Sequence, residues 1–152
     1  MARPVPGRRV LGWVVVVSAA VWYYQTTFTT QDVSDAQAPL QLEAWTYKEA
    51  KVLPVGAAGR IEYDLRNRGA KRVTLLQFEP QRLAGLNVTA ISRLAEGGEI
   101  SLEGTEFNPG QGARVILRFT ATSDVVYYPS RIYLKYREGL RTFREKVEVR
   151  YP

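Results

Sequence analysis

The sequence predicts an all-β protein, an antiparallel β-sandwich of seven to eight strands preceded by one transmembrane helix. Three observations predict it. From Leu40 onward, apolar and polar residues alternate in short segments punctuated by Gly, Pro and Asn, and no helical period is sustained. Ahead of that region lies a single uncharged run, Val10 to Phe28. The chain of 152 residues has neither cysteine nor histidine, so a sandwich here must be held by its core alone, without disulfides.

The same double absence excludes chemistry. Without Cys there is no thiolate nucleophile, iron–sulfur cluster or haem attachment. Without His there is no imidazole base and no ordinary zinc or copper site. Ser-His and Cys-His catalysis are therefore ruled out. The expectation is a non-enzyme with no catalytic residue, no metal and no cofactor.

Residues 10–28 carry no charge, and as a helix rising ~1.5 Å per residue they would span roughly 28 Å, close to the ~30 Å bilayer core. Lipid compels a helix even from a Val-rich run, because backbone groups find no other partner there. Trp13 stands near one end and Trp22, Tyr23 and Tyr24 near the other, as interfacial aromatics do. Arg3, Arg8 and Arg9 precede the run, and Asp32 is the first acid after it. The positive-inside rule then puts residues 1–9 in the cytoplasm and the rest outside a bacterial-type inner membrane. Two alternatives compete with the anchor. Ser18-Ala19-Ala20 offers a signal-cleavage site, but the apolar core ahead of it is short and the new start, Val21-Trp22-Tyr23-Tyr24, is awkward for a soluble chain. Arg8-Arg9 has only a fragment of a twin-arginine signal. Residues 29–39 are polar and read as an extended tether.

The domain then occupies residues 40–152. Leu40–Tyr47 opens it, with Leu40, Leu42 and Ala44 on one face and Gln41, Glu43 and Trp45 on the other. A connection with a short edge strand near Val52–Val55 leads to Arg60–Arg66, where Ile61, Tyr63 and Leu65 point inward. Asn67-Arg68-Gly69 is a turn in which Gly69 can take a positive φ. Arg72–Phe78, Leu86–Ser92 and Glu99–Glu103 follow. Ala113–Ala121 is the best strand. A one-residue slip there would bury Arg114 and Arg118, so its register is firmly set. Arg131–Arg137 and Thr142–Tyr151 form a hairpin around Glu138-Gly139-Leu140-Arg141.

The strand–Asn67-Arg68-Gly69–strand run from Ile61 to Phe78, and Asn108-Pro109-Gly110 followed by the strand ending at Phe119, resemble immunoglobulin-like bacterial extracytoplasmic domains. More faintly, they resemble the sandwich parts of membrane monooxygenase B subunits. The resemblance covers residues 40–152 and implies an Ig-like or fibronectin-type fold. It implies no activity, and copper binding is not carried over, since the histidines are missing.

Charge is uneven. The chain is +6 overall, half of it from Arg3, Arg8 and Arg9. From residue 113 onward nine basic residues face four acids. Alternation places Arg114 and Arg118, Tyr133, Lys135 and Arg137, and Arg144, Lys146 and Arg150 outward. If these last three strands are neighbours, they make one basic, tyrosine-bearing face for an acidic partner or anionic headgroups. The plain alternative is a solvated face protected from aggregation by its charges. Tyr127 and Tyr128 in a connection, and Trp45, are candidate loop contacts, with core packing as the alternative for each. Nucleic-acid binding would need a denser basic stripe. The acids Glu96, Glu99, Glu103 and Glu106 flank turns, without the cleft of a glycosidase or the dense loop of a calcium site. Asn87-Val88-Thr89 fits a glycosylation sequon inside a predicted strand and is discounted. The expected role is an accessory or assembly subunit of a larger membrane complex of respiratory, photosynthetic or monooxygenase type. Its expected partners are the bilayer and other subunits. The alternative is a self-standing binding module for a glycan, peptide or envelope component.

Overall fold

The computed structural model describes Ser18, residues 30–33, residues 38–44 and residues 50–151. The expected anchor aromatics Trp13, Trp22, Tyr23 and Tyr24 lie outside the described residues, and so does Trp45. Among the described residues no helix is long and apolar enough to cross a membrane.

Among the described residues from Thr30 onward every regular element is a strand: β1 Thr30–Val33, β2 Leu40–Ala44, β3 Ala50–Val52, β4 Ala58–Asn67, β5 Val73–Gln81, β6 Leu86–Ala95, β7 Gly98–Ser101, β8 Glu106–Phe107, β9 Gly112–Ala121, β10 Val125–Tyr127, β11 Arg131–Glu138 and β12 Arg141–Glu148. One five-stranded sheet runs β1-β12-β11-β5-β8, a second runs β2-β4-β9-β6-β7, and β10 pairs with β3 in a two-stranded ribbon. The expected count of seven to eight falls short of the twelve strands among the described residues because β1, β3, β8 and β10, of two to four residues each, lack a readable alternation.

The two large sheets share one core, as in a β-sandwich. Ile61, Tyr63 and Leu65 of β4, Val115, Leu117 and Phe119 of β9, Leu75 of β5, and Ile132, Leu134 and Tyr136 of β11 all belong to it. Alternation causes this directly, since period-2 apolar residues line one side of each strand. Burying these side chains is the main stabilising term, roughly 1.5–3 kcal/mol for each large one.

Three expectations change. The stretch 29–39 is not wholly a tether, because Thr30 to Val33 pair in parallel with Thr142 to Glu145. Backbone pairing on the open edge of β12 suffices for such a short strand, so no apolar pattern announces it. The edge strand expected near Val52–Val55 ends earlier, at Val52. Pro54 lacks an N–H, and Gly56 turns back with φ +86° and donates to the Ala121 carbonyl at 2.8 Å. Gly69 does not adopt a positive φ. Glycine suits it because a Cβ there would lie 2.6 Å from the Pro39 side chain.

Asn67 organises that corner. Its buried side-chain amide donates to the carbonyls of Lys71 (2.8 Å) and Phe107 (2.9 Å), and its oxygen accepts from the Gly69 N–H at 2.9 Å. The β4–β5 loop is thereby fastened to β8. At the same end, the β11–β12 turn has Gly139 at φ +60°, the conformation of the first central residue in a II′ hairpin. This is called the hairpin end below.

Candidate functional site

The expected basic face divides between the two sheets. Arg114 and Arg118 lie on β9, in the sheet opposite to the one holding β11 and β12. Alternation gave their outward side correctly but not their sheet, which long-range pairing sets. Both are matched there. Arg114 sits 3.8 Å from Glu62, which Arg60 also approaches at 3.1 Å. Arg118 makes a bidentate contact with Glu99, and the Ser92 hydroxyl donates to the same carboxylate at 2.8 Å. These hydrogen bonds, Arg118's first, hold the Glu99 carboxyl below its ordinary range and raise the Arg118 guanidinium. Ile116 lies between the two arginines along the strand and is only 3% exposed, although alternation turns it outward. It is in register with Glu62 on one side and Ser92 on the other. This face is a closed polar lattice over a buried isoleucine, and not part of the expected docking surface.

Five of the other six residues of the expected face do come together. Tyr133, Lys135 and Arg137 on β11 stand beside Arg144 and Lys146 on β12, with Tyr133 in register with Lys146 and Lys135 with Arg144. The Arg144 guanidinium lies over the Tyr133 ring, 4.1 Å from its centroid, an arrangement favoured by the ring quadrupole. Glu79 of β5 is in register with Tyr133 and 4.0 Å from Arg144. Arg131 and Lys146 share Glu148, at 2.9 and 3.7 Å. The Arg131 hydrogen bond is the main cause that lowers the Glu148 carboxyl. Among the described residues Lys135 and Arg137 have no ion-pair partner. A shallow hollow of about 230 Å³ opens here, lined by Thr30, Gln77, Glu79, Tyr133, Lys135 and Arg144. Arg150 lies elsewhere. It follows the end of β12 and borders a groove of about 470 Å³ along the seam between the sheets, with Leu42, Glu145 and Val147.

The loop candidates separate too. Tyr128 is 6% exposed and packs between Phe119 (6.1 Å between centroids) and Tyr151 (5.9 Å), so it is a core residue. Burial raises its hydroxyl's pKa. Tyr127, one residue earlier in the ribbon, is 54% exposed. Val125 faces Val52 and Tyr127 faces Ala50 across β10 and β3, so all four share one side. Val126, on the other side, is fully buried. The ribbon thus seals the core with Val126 and presents Val52, Val125 and Tyr127 outward, at the end opposite the hairpin end.

Glu99 is held by Arg118 and Ser92, and Glu106 by Arg72 at 3.4 Å. Among the described residues no three acidic side chains gather as a cation site requires.

No protein-family model and no curated protein matches the sequence. Among solved structures, the VesB protease of Vibrio cholerae is similar at 11% identity and a TM-score of 0.40, over 87% of this chain and 33% of that one. The chain thus spans about a third of that structure, and a likeness this slight carries no argument about activity.

Proposed function

We propose that this chain is a non-catalytic accessory subunit of a membrane protein complex, anchored by residues 10–28 and docking through the outer face of β12, β11 and β5. The observation that carries the reading is the gathering of Tyr133, Lys135, Arg137, Arg144 and Lys146 on one face, with Lys135 and Arg137 lacking acidic partners among the described residues. Tyrosine and arginine dominate interface hot spots, and unpaired cations steer an acidic partner into register. An anchor and a face on one chain make the second contact effectively intramolecular.

An immunoglobulin-like assignment fits the strand order. One sheet runs β2-β4-β9-β6 and the other β12-β11-β5. In chain order these correspond to A-B-E-D and G-F-C of that fold. An extracytoplasmic location rests on the arginines ahead of the apolar run.

Purification in mild detergent tests the role. Co-migration with a large assembly supports it. Loss of co-migration in a Lys135→Glu, Arg144→Glu variant, made worse by salt, identifies the face. A stable monomer in mild detergent overturns the reading. A mature N-terminus at Val21 removes the anchor. The second reading, a self-standing binding module, has one observation in its favour: the exposed apolar side of the β3–β10 ribbon around Tyr127.

A further inference from the structure

The described strands fix the end of the sandwich at which β1 begins. β1 begins at Thr30, in register with Thr142. The apolar run stops at Phe28, two residues before Thr30. On the neighbouring strand Leu140 lies two residues before Thr142. β1 therefore begins at the hairpin end, beside the start of β12. Two residues extend at most ~7 Å, which bounds the separation between Thr30 and the end of the apolar run.

That end has a matching chemistry. Leu140, at the second position of the turn, is 68% exposed. Arg137 and Arg141 flank it. Lys71 pairs with Glu138 at 3.1 Å, which brings the β4–β5 loop alongside the hairpin. The loops and strand ends here carry Arg68, Lys71, Arg72, Arg137 and Arg141 against Glu96, Glu106 and Glu138; Arg68 pairs with Glu43 and Arg72 with Glu106, while Arg137 and Arg141 lie nearest the tip. A lone exposed leucine means little on its own. A leucine at the tip of a tight turn, with Arg137 and Arg141 close by and at the end of the sandwich where β1 begins, fits an anionic lipid interface, where basic residues beside a membrane anchor are held by acidic headgroups.

We propose that the Gly139-Leu140 tip sits in the headgroup layer of the bilayer, with Arg137 and Arg141 on anionic headgroups. The sandwich then stands on its hairpin end, the β12-β11-β5 face looks sideways along the membrane, and the β3–β10 ribbon points away. This rests on the anchor reading above.

The chain has no cysteine, so Leu140→Cys and Val55→Cys each give one labelling site, at opposite ends. Each variant of the full chain carries an environment-sensitive fluorophore in vesicles of phosphatidylcholine and phosphatidylglycerol, with or without headgroup spin-labelled lipid, floated on a density gradient. The expected result is quenching several-fold stronger at position 140 than at 55. Arg137→Glu with Arg141→Glu should reduce it in anionic vesicles and leave it unchanged in phosphatidylcholine alone. Equal quenching at the two positions in floated vesicles overturns the inference while leaving the anchor intact. Failure to float removes the anchor and the inference with it. Protection of position 140 from aqueous iodide without lipid quenching marks a second copy as the occupant and overturns it too.

Discussion

The Tyr63 hydroxyl lies 3.2 Å from the Tyr151 hydroxyl, across the two sheets. Tyr151 donates to the Pro129 carbonyl at 2.6 Å, so its single proton is committed and Tyr63 is the donor between them. The relay joins β4, the chain after β12 and the turn before β11. With Tyr128 and Phe119 packed beside it, it closes the end of the core opposite the hairpin. Tyr63→Phe keeps the ring and leaves a weakened acceptor, and should cost about 1 kcal/mol. Tyr151→Phe strands both the Tyr63 hydroxyl and the Pro129 carbonyl, and should cost about 2–3 kcal/mol. Urea midpoints of the two variants check the order. A Tyr63→Phe loss equal to that of Tyr151→Phe would show that the relay has no direction.

Alkali should unfold the protein through the same tyrosines. Burial comes first among the causes that raise the phenols of Tyr63, Tyr128 and Tyr136; Tyr151 adds to it at Tyr63, and Glu145 then Glu138 at Tyr136. A phenol whose folded pKa is raised binds its proton more tightly when folded. Its stabilisation is complete below the unfolded value near ~10 and is lost as pH rises above it, at about 1.4 kcal/mol per pH unit for each group. The melting temperature should be flat against these groups up to pH ~9 and fall beyond ~10. Tyr136→Phe should make that fall shallower. An unchanged slope would remove Tyr136 from the linkage.

Asn67 should be the most sensitive polar position in the sandwich. Ala leaves the Lys71 and Phe107 carbonyls and the Gly69 N–H without their partner, a loss of about 2–3 kcal/mol. Asp is nearly isosteric, yet it turns an oxygen toward the Lys71 and Phe107 carbonyls where nitrogen donated. Asn67→Asp should therefore be at least as destabilised as Asn67→Ala at neutral pH and recover toward acid, as the carboxyl gains a proton to donate. Thermal melts across pH give the comparison, and an Asp variant as stable as the parent would refute the donor assignment.

The long strands were legible because each carries its own alternation. Ile61, Tyr63 and Leu65, and Val115, Leu117 and Phe119, point inward as the period requires. What was not legible depends on partners distant in the chain. Arg114 and Arg118 read as outward, but Glu62 and Glu99 claim them only once β4, β9, β6 and β7 are side by side. Tyr128 reads like Tyr127, and only the closing of the core around Phe119 and Tyr151 separates them. Asn67 reads as a turn residue. Its amide becomes a clamp because β8, 40 residues later, brings a carbonyl to it. β1 has no signal beyond Thr30 and Val33, and it joins the sheet by pairing with β12.

The β3–β10 ribbon offers a sharp contrast between adjacent residues. Val126 is fully buried, and Val52 is 78% exposed on the other side of the same two strands. Val126→Ala removes two methyl groups from the core and should cost about 1–3 kcal/mol. Val52→Ser removes nothing the fold uses and should stay within ~0.5 kcal/mol of the parent. If the ribbon instead serves as a contact surface, Val52→Ser and Tyr127→Ser should both leave the urea midpoint in place and lower the yield of whatever co-purifies with the full chain. Unchanged co-purification in both would confine the ribbon to sealing the core. A lowered midpoint for Val52→Ser would mean that something covers this side of the ribbon in the folded chain.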